Sequence, residues 1–170
     1  MAFIYHKVPA NMSGNILYPL NELKRINPAI FEAEIKKYEG REYLLQRMIP
    51  LLHCLWNDVL HLSMVHPSQI KDALFKVGHP YRANFFEVPL EAIDKRRAVI
   101  YLYRQEEISP EEIKPFNPLL VEQLSELSAM TKEYFAAAVS SGRKVLPFHG
   151  VPHVLYRGSL DISDFKIIKS

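Results

Sequence analysis

The alternation of apolar and polar positions is sharpest between Val59 and Val65. Side chains along a strand point to opposite faces in turn. Leu60, Leu62 and Met64 therefore share one face, and Val59, His61, Ser63 and Val65 the other. The first set is plain core, while the second places an imidazole and a hydroxyl between two valines. Pro67 ends this strand and opens a helix in which Ile70, Ala73, Leu74 and Val77 recur at three- and four-residue steps as far as Gly78. Phe3–Val8, Ala83–Val88, Ala98–Tyr103, Pro152–Arg157 and Phe165–Ile168 have the β-branched and aromatic content of further strands. In the first of these, Ile4, His6 and Val8 fall on one face, with Phe3, Tyr5 and Lys7 on the other. Asn27 and Pro28 predict a helix start, with Phe31, Ile35 and Tyr38 as its apolar stripe and Gly40 as its stop. Leu44, Leu45 and Met48 mark a second short helix or turn over Arg41–Ile49. Asn117–Pro118 opens the longest predicted helix, which runs to about Ser141 and carries Leu120, Leu124, Leu127, Tyr134 and Ala138 on its buried side.

Together these elements predict one α+β domain over residues 1–170, with about six mostly antiparallel strands and about four helices. Strands gather at both ends of the chain, which argues against a regular parallel βαβ wrap. A chain of 170 residues can bury a substantial core. Its net charge of +2 excludes the strong basic field of a protein held to nucleic acid mainly by electrostatics, although a local groove can still be basic. The N-terminus shows no signal-peptide pattern and no run is long enough for a membrane span, so the expectation is cytoplasmic, or exported without a cleaved signal. The single cysteine, Cys54, sits in an apolar run and reads as a buried, inert thiol. Trp56, between that run and the central strand, is expected to be largely buried.

Seven histidines are the main carriers of chemistry. No His-Glu-x-x-His occurs, and Gly150, Val151 and Pro152 between His149 and His153 do not make an aligning helix, so no metal site is predicted. His61-Leu62-Ser63 sets an imidazole and a hydroxyl on one strand face, where they could hold a phosphate or share a proton. Two-histidine phosphoesterases use a pair of such strands, and this chain has one. No Gly-x-Ser-x-Gly elbow and no glycine-rich phosphate loop is present. Tyr81-Arg82 and Tyr101 to Arg104 interleave aromatics with cations, which suits stacking on bases and equally suits the alternating faces of ordinary strands.

Taken in order, these residues resemble the ADP-ribosyltransferase fold, the group that includes DNA-modifying toxins and tRNA 2′-phosphotransferases. Ile4-Tyr5-His6-Lys7-Val8-Pro9-Ala10-Asn11 is similar to a first strand in which an aromatic-His pair precedes a dinucleotide-binding loop. Val59 to Pro67 followed by Ile70 to Gly78 resembles the second strand and its helix. Ala83 to Leu90 resembles a strand ending in a Phe-x-Val-Pro turn, and Pro152 to Ile168 the closing hairpin. The resemblance implies a nucleotide or NAD ligand and, beyond it, a protein or nucleic-acid acceptor. Where the family carries a glutamate at the start of the final hairpin, this chain has His153, with Asp161 and Glu87 the nearest acids. That departure implies a transferase with an atypical active site or binding without catalysis. Lys37 to Glu42 and Trp56 to His61 also resemble patterns of uncharacterised bacterial proteins, a likeness that implies no activity.

Two function classes follow. In the first, the catalytic candidates His6, His61, Ser63 and His153 share a nucleotide cleft. There Tyr5 or Tyr81 stacks on a ring, and Arg82 or Arg157 neutralises phosphate. In the second, the chain is a non-catalytic interaction module or bacterial effector whose segment Pro28 to Ile49 meets a partner. Convergence of His6, His61 and His153 in one pocket favours the first, and their dispersal the second.

Overall fold

The computed structural model describes residues 2–105 and 108–170. In chain order the elements are β1 (Phe3–Lys7), β2 (Ile16–Leu17), α1 (Leu20–Ile26), α2 (Pro28–Ile35), β3 (Met48–Ile49), β4 (Cys54–Leu55), β5 (Val59–Ser63) and α3 (Pro67–Lys76). They continue with β6 (Asn84–Pro89), β7 (Ala98–Tyr101), β8 (Ile113–Pro115), α4 (Pro118–Gln123), α5 (Ala129–Ser140), β9 (His153–Arg157), β10 (Leu160–Asp161) and β11 (Lys166–Lys169). Seven strands form one sheet in the order β11-β6-β1-β5-β9-β7-β8, with every neighbouring pair antiparallel. No helix among the described residues is long and apolar enough to cross a membrane.

The alternation in β5 decides both faces of this sheet. Leu60, Leu62 and Met64 join Ile4, Phe86, Val88, Ile100, Val154 and Val121 in the largest buried cluster. The opposite face is split. Near β7 and β8, Val59, Val99 and Leu155 pack with Ile49, Leu52 and Cys54 of the β3–β4 hairpin. Near the helices, Val65, Ile70 and Leu74 pack with Phe135 and Val151. Burying such side chains is worth ~1.5–3 kcal/mol each, so each cluster anchors the elements that feed it.

The helix predicted from Asn117 to Ser141 is two helices, α4 and α5. Gln69 of α3 causes the break: its amide donates to the Ser125 carbonyl at 3.1 Å and accepts from the Leu127 N–H at 2.9 Å. Ser128 then caps the new start, accepting from the Thr131 N–H at 3.2 Å. The segment expected as a second short helix or turn over Arg41–Ile49 is a 3-10 turn, Glu42–Gln46, followed by β3. The charged stretch 105–114, apart from Glu106 and Glu107, which lie outside the described residues, ends in edge strand β8 and buries Glu112. The strand 59–65 closes at Ser63, and α1 is an element with no clear signal in the pattern. Cys54 is buried, and desolvation pushes its thiol up.

Candidate functional site

Cross-strand partners lie on one face of a sheet. The registers Tyr5–Ser63, Ser63–His153 and His153–Tyr101 therefore align four polar-tipped side chains across β1, β5, β9 and β7. This row floors a cavity of about 580 Å³ that opens between the two clusters of the split face. His61, two residues before Ser63, shares the floor. His6 also lines the cavity, from the end of β1, which registers with β5 at the single pair Tyr5–Ser63. The 3-10 turns Lys36–Tyr38 and Glu42–Gln46 form a wall that brings Lys37, Arg41 and Arg47 to it, and Phe148 and His149 form another.

The three floor histidines share one electrostatic design. A carbonyl only accepts, so each hydrogen bond to one fixes the tautomer. His6 donates from Nδ1 to the Lys7 carbonyl at 2.7 Å, and His153 from Nδ1 to the Val151 carbonyl at 2.7 Å. His61 donates from Nε2 to the Trp56 carbonyl at 3.0 Å. The remaining nitrogen of each ring keeps its lone pair. Desolvation, aided by the charge of Lys37, holds His6 down at about 4 and His61 at about 3; for His61 repulsion from His153 is a larger contribution than Lys37. Desolvation alone lowers His153 to about 4. All three are neutral at pH 7. Among the described residues no three His, Cys, Asp or Glu side chains are grouped to hold a metal ion.

Aromatic rings line the rest. Trp56 lies 4.4 Å from His61 and edge-on to Tyr101 at 5.8 Å. Tyr101 stacks on Tyr103 at 4.9 Å, and His149 stacks on Tyr134 at 3.9 Å. Trp56 is half-buried rather than fully buried, because one side of its ring is cavity wall. Its indole hydrogen-bonds Tyr38, whose hydroxyl donates to the buried Asn57 at 2.7 Å, tying the Lys36–Tyr38 turn to the start of β5. Tyr103 has φ 54, a left-handed conformation that is strained for a bulky side chain. The next residue is clamped: the Arg104 N–H donates to the buried Glu112 carboxylate at 2.8 Å, and its guanidinium lies 3.4 Å from the same group.

Two buried side-chain atoms, Arg47 Nη1 and Asn57 Nδ2, have no hydrogen-bond partner among the described residues, and of the two Arg47 lines the cavity, its guanidinium over Tyr43 at 5.6 Å. An unmade hydrogen bond of that kind costs ~1–3 kcal/mol, more when charged, and calls for an explanation.

The structure thus brings His6, His61, Ser63, His153 and Tyr5 together. The Ser63 hydroxyl is already used, donating to the Val65 carbonyl at 2.8 Å and accepting from the Val65 N–H at 3.2 Å, so it supports the floor. Tyr81 is half-buried against the helix-side cluster and Arg82 is exposed, and neither lines the cavity. Arg157 lies at the far end of β9, in a separate cleft with Arg96 and Arg97, where it donates to the Leu52 carbonyl. Neither arginine expected to neutralise phosphate therefore reaches this cavity, whose cations among the described residues are Lys7, Lys37, Arg41 and Arg47. Sequence reasoning missed Arg47, Tyr103, His149 and the wall role of Trp56. The spacing of Tyr101 and Tyr103 on one strand face was their one available signal. No family model, curated protein or solved structure matches the chain. Of the acids considered for the missing glutamate, Asp161 bonds Ser163 away from the cavity, whereas Glu87 is the cross-strand partner of Tyr5 and continues the floor's sheet face onto β6 without lining the cavity.

Proposed function

We propose that this cavity binds a nucleotide-class ligand, with NAD or its ADP-ribose portion as the leading candidate. The observation that carries the reading is Arg47, whose buried Nη1 has no hydrogen-bond partner among the described residues, set in a cavity rich in aromatic faces. A ligand that satisfies it must bring anionic oxygens, and one that also covers Tyr103 and Trp56 must bring flat rings. Lys37 and Arg41 add positive charge along the same wall, and the carbonyl-pinned histidines line the floor beside them. NAD fits this set: Arg47, Lys37 and Arg41 would hold the diphosphate, and the tyrosines a ring.

Binding is the function this geometry supports best. When bound, NAD supplies a glycosidic bond open to attack. The described lining holds no carboxylate to steady positive charge at that bond, and the three histidines are weak bases at neutral pH. The segment from Lys36 to Gln46 is occupied as cavity wall, which favours a small-molecule cleft over the interaction-module reading. The test is thermal denaturation of the full chain with NAD, ADP-ribose, AMP, adenosine and nicotinamide, because a ligand selective for the folded state raises its melting temperature. ADP-ribose and NAD are expected to stabilise more than adenosine or nicotinamide. No stabilisation by any phosphate-bearing nucleotide at millimolar concentration overturns the reading.

A further inference from the structure

We propose that the cavity takes its phosphoanion together with a proton, which is shared among His6, His61 and His153. The inference rests on the nucleotide reading above and follows from the donor inventory of the floor. Each of these rings has spent its single N–H on a backbone carbonyl: those of Lys7, Trp56 and Val151. What each still offers is a lone pair. A phosphate oxygen also offers only lone pairs, so the two repel unless something positive lies between them. A metal ion is one solution, but the described residues hold no grouping of three ligands for it. A proton on one of the rings is another, and it alone turns the ring itself into a donor to the anion.

The surroundings set the sign and the count. Among the described residues, the charged side chains that line the cavity are Lys7, Lys37, Arg41 and Arg47, all cationic, with Glu87 one strand away beside Tyr5. Burial, with the positive field of Lys37 at His6 and His61, keeps the empty floor neutral. An incoming diphosphate reverses that field and makes an imidazolium favourable, with its new N–H aimed at the anion. His6 and His61 each repel a charge on His153, so a second proton is opposed and uptake stays near one. Among the described residues, the other titratable groups at the cavity are His149 and the phenols of Tyr5, Tyr38, Tyr43, Tyr101 and Tyr103. The phenols whose shifts are resolved, Tyr5, Tyr38 and Tyr101, are all raised, so they stay protonated throughout. His149 is distinguished by mutation.

The test is isothermal titration calorimetry with ADP-ribose at pH 6 in buffers of different ionisation enthalpy. The diphosphate and adenine of ADP-ribose hold no titrating proton above that pH, so any uptake belongs to the protein. We expect about one proton taken up per ligand and a Kd that weakens by up to about tenfold per pH unit from pH 6 to pH 8. The His6→Gln, His61→Gln, His153→Gln triple variant is expected to bind without uptake, and His149→Gln to retain it. Binding by the wild-type chain with no uptake and a pH-independent Kd overturns the proposal and leaves the nucleotide reading intact. Uptake that persists in the triple variant overturns the assignment to these histidines. Absence of any ADP-ribose binding overturns the proposal together with the nucleotide reading. The wild-type titration decides the main point even if the triple variant does not fold.

Discussion

Replacing Arg47 with methionine separates the stability of the empty chain from its ability to bind. The side-chain stem is kept, and the charge is removed with its buried Nη1, which has no partner among the described residues. Relieving an unsatisfied buried donor returns ~1–3 kcal/mol. Against this stands the contact of the guanidinium with Tyr43 at 5.6 Å, worth ~0.5–1 kcal/mol at an exposed ring, which a methionine sulfur partly replaces. The expected net effect on the empty protein is a gain of about 1 kcal/mol, or roughly 2–4 °C in Tm for a chain of this size. Binding moves the other way. A hydrogen bond to a charged group contributes ~1.5–3 kcal/mol, so the Kd for ADP-ribose is expected to weaken by roughly 10- to 100-fold. Urea and thermal melts with and without ADP-ribose read both quantities. A variant destabilised by more than about 1 kcal/mol, with undiminished affinity, refutes the reasoning, since Arg47 would then be a structural residue whose partner is in the protein.

Three further outcomes follow from the geometry. Gly150→Ala is expected to cost ~2–4 kcal/mol in urea denaturation, because φ is +71 and an added Cβ would sit 2.7 Å from Thr131 Oγ1, itself held by the His149 carbonyl; a neutral result would mean that the turn carrying His149 relaxes freely. At Tyr103 the helix-derived order is expected to invert, with Tyr103→Gly about 1 kcal/mol more stable than Tyr103→Ala, because only glycine adopts the left-handed conformation without strain. Equal stabilities in calorimetry would contradict that. Finally, histidines unfold to about pKa 6.5, whereas His6, His61 and His153 are folded at about 4, 3 and 4, so the unfolded chain binds the extra protons. Their contribution to stability is full above pH 6.5 and is lost as pH falls toward 4, on the order of 1 kcal/mol per histidine at pH 5 after discounting for solvent contact. Flat stability from pH 7 to pH 5, or side-chain NMR titrations near 6.5 for all three, would contradict it.

The strand β5 was the most legible part of the chain. Period-two alternation gave both its core face and the co-facing of His61 and Ser63, because a half-buried strand has no other way to bury Leu60 and Leu62. His6 was less so: parity places it with Ile4, and it is paired with Phe86 of β6, yet it lines the cavity. The break between α4 and α5 depends on Gln69, 58 residues before Leu127, and no local pattern encodes so distant a contact. Arg157 shows a similar limit. Its strand was correctly expected, but which end of β9 faces which cleft is set by the registers with β5 and β7. Arg47 and Tyr103 were invisible because their significance lies in an unpartnered atom and a backbone angle, both products of tertiary packing.

The most direct test of the central claim is two-dimensional NMR of the histidine side chains during titration with ADP-ribose. We expect the ring signals of His6, His61 and His153 to shift together and to saturate with one Kd, while His79, outside the cavity lining, stays unmoved. No change in those three signals, or a response confined to His53 in the cleft that holds Arg157, would place ligand binding elsewhere and contradict the account.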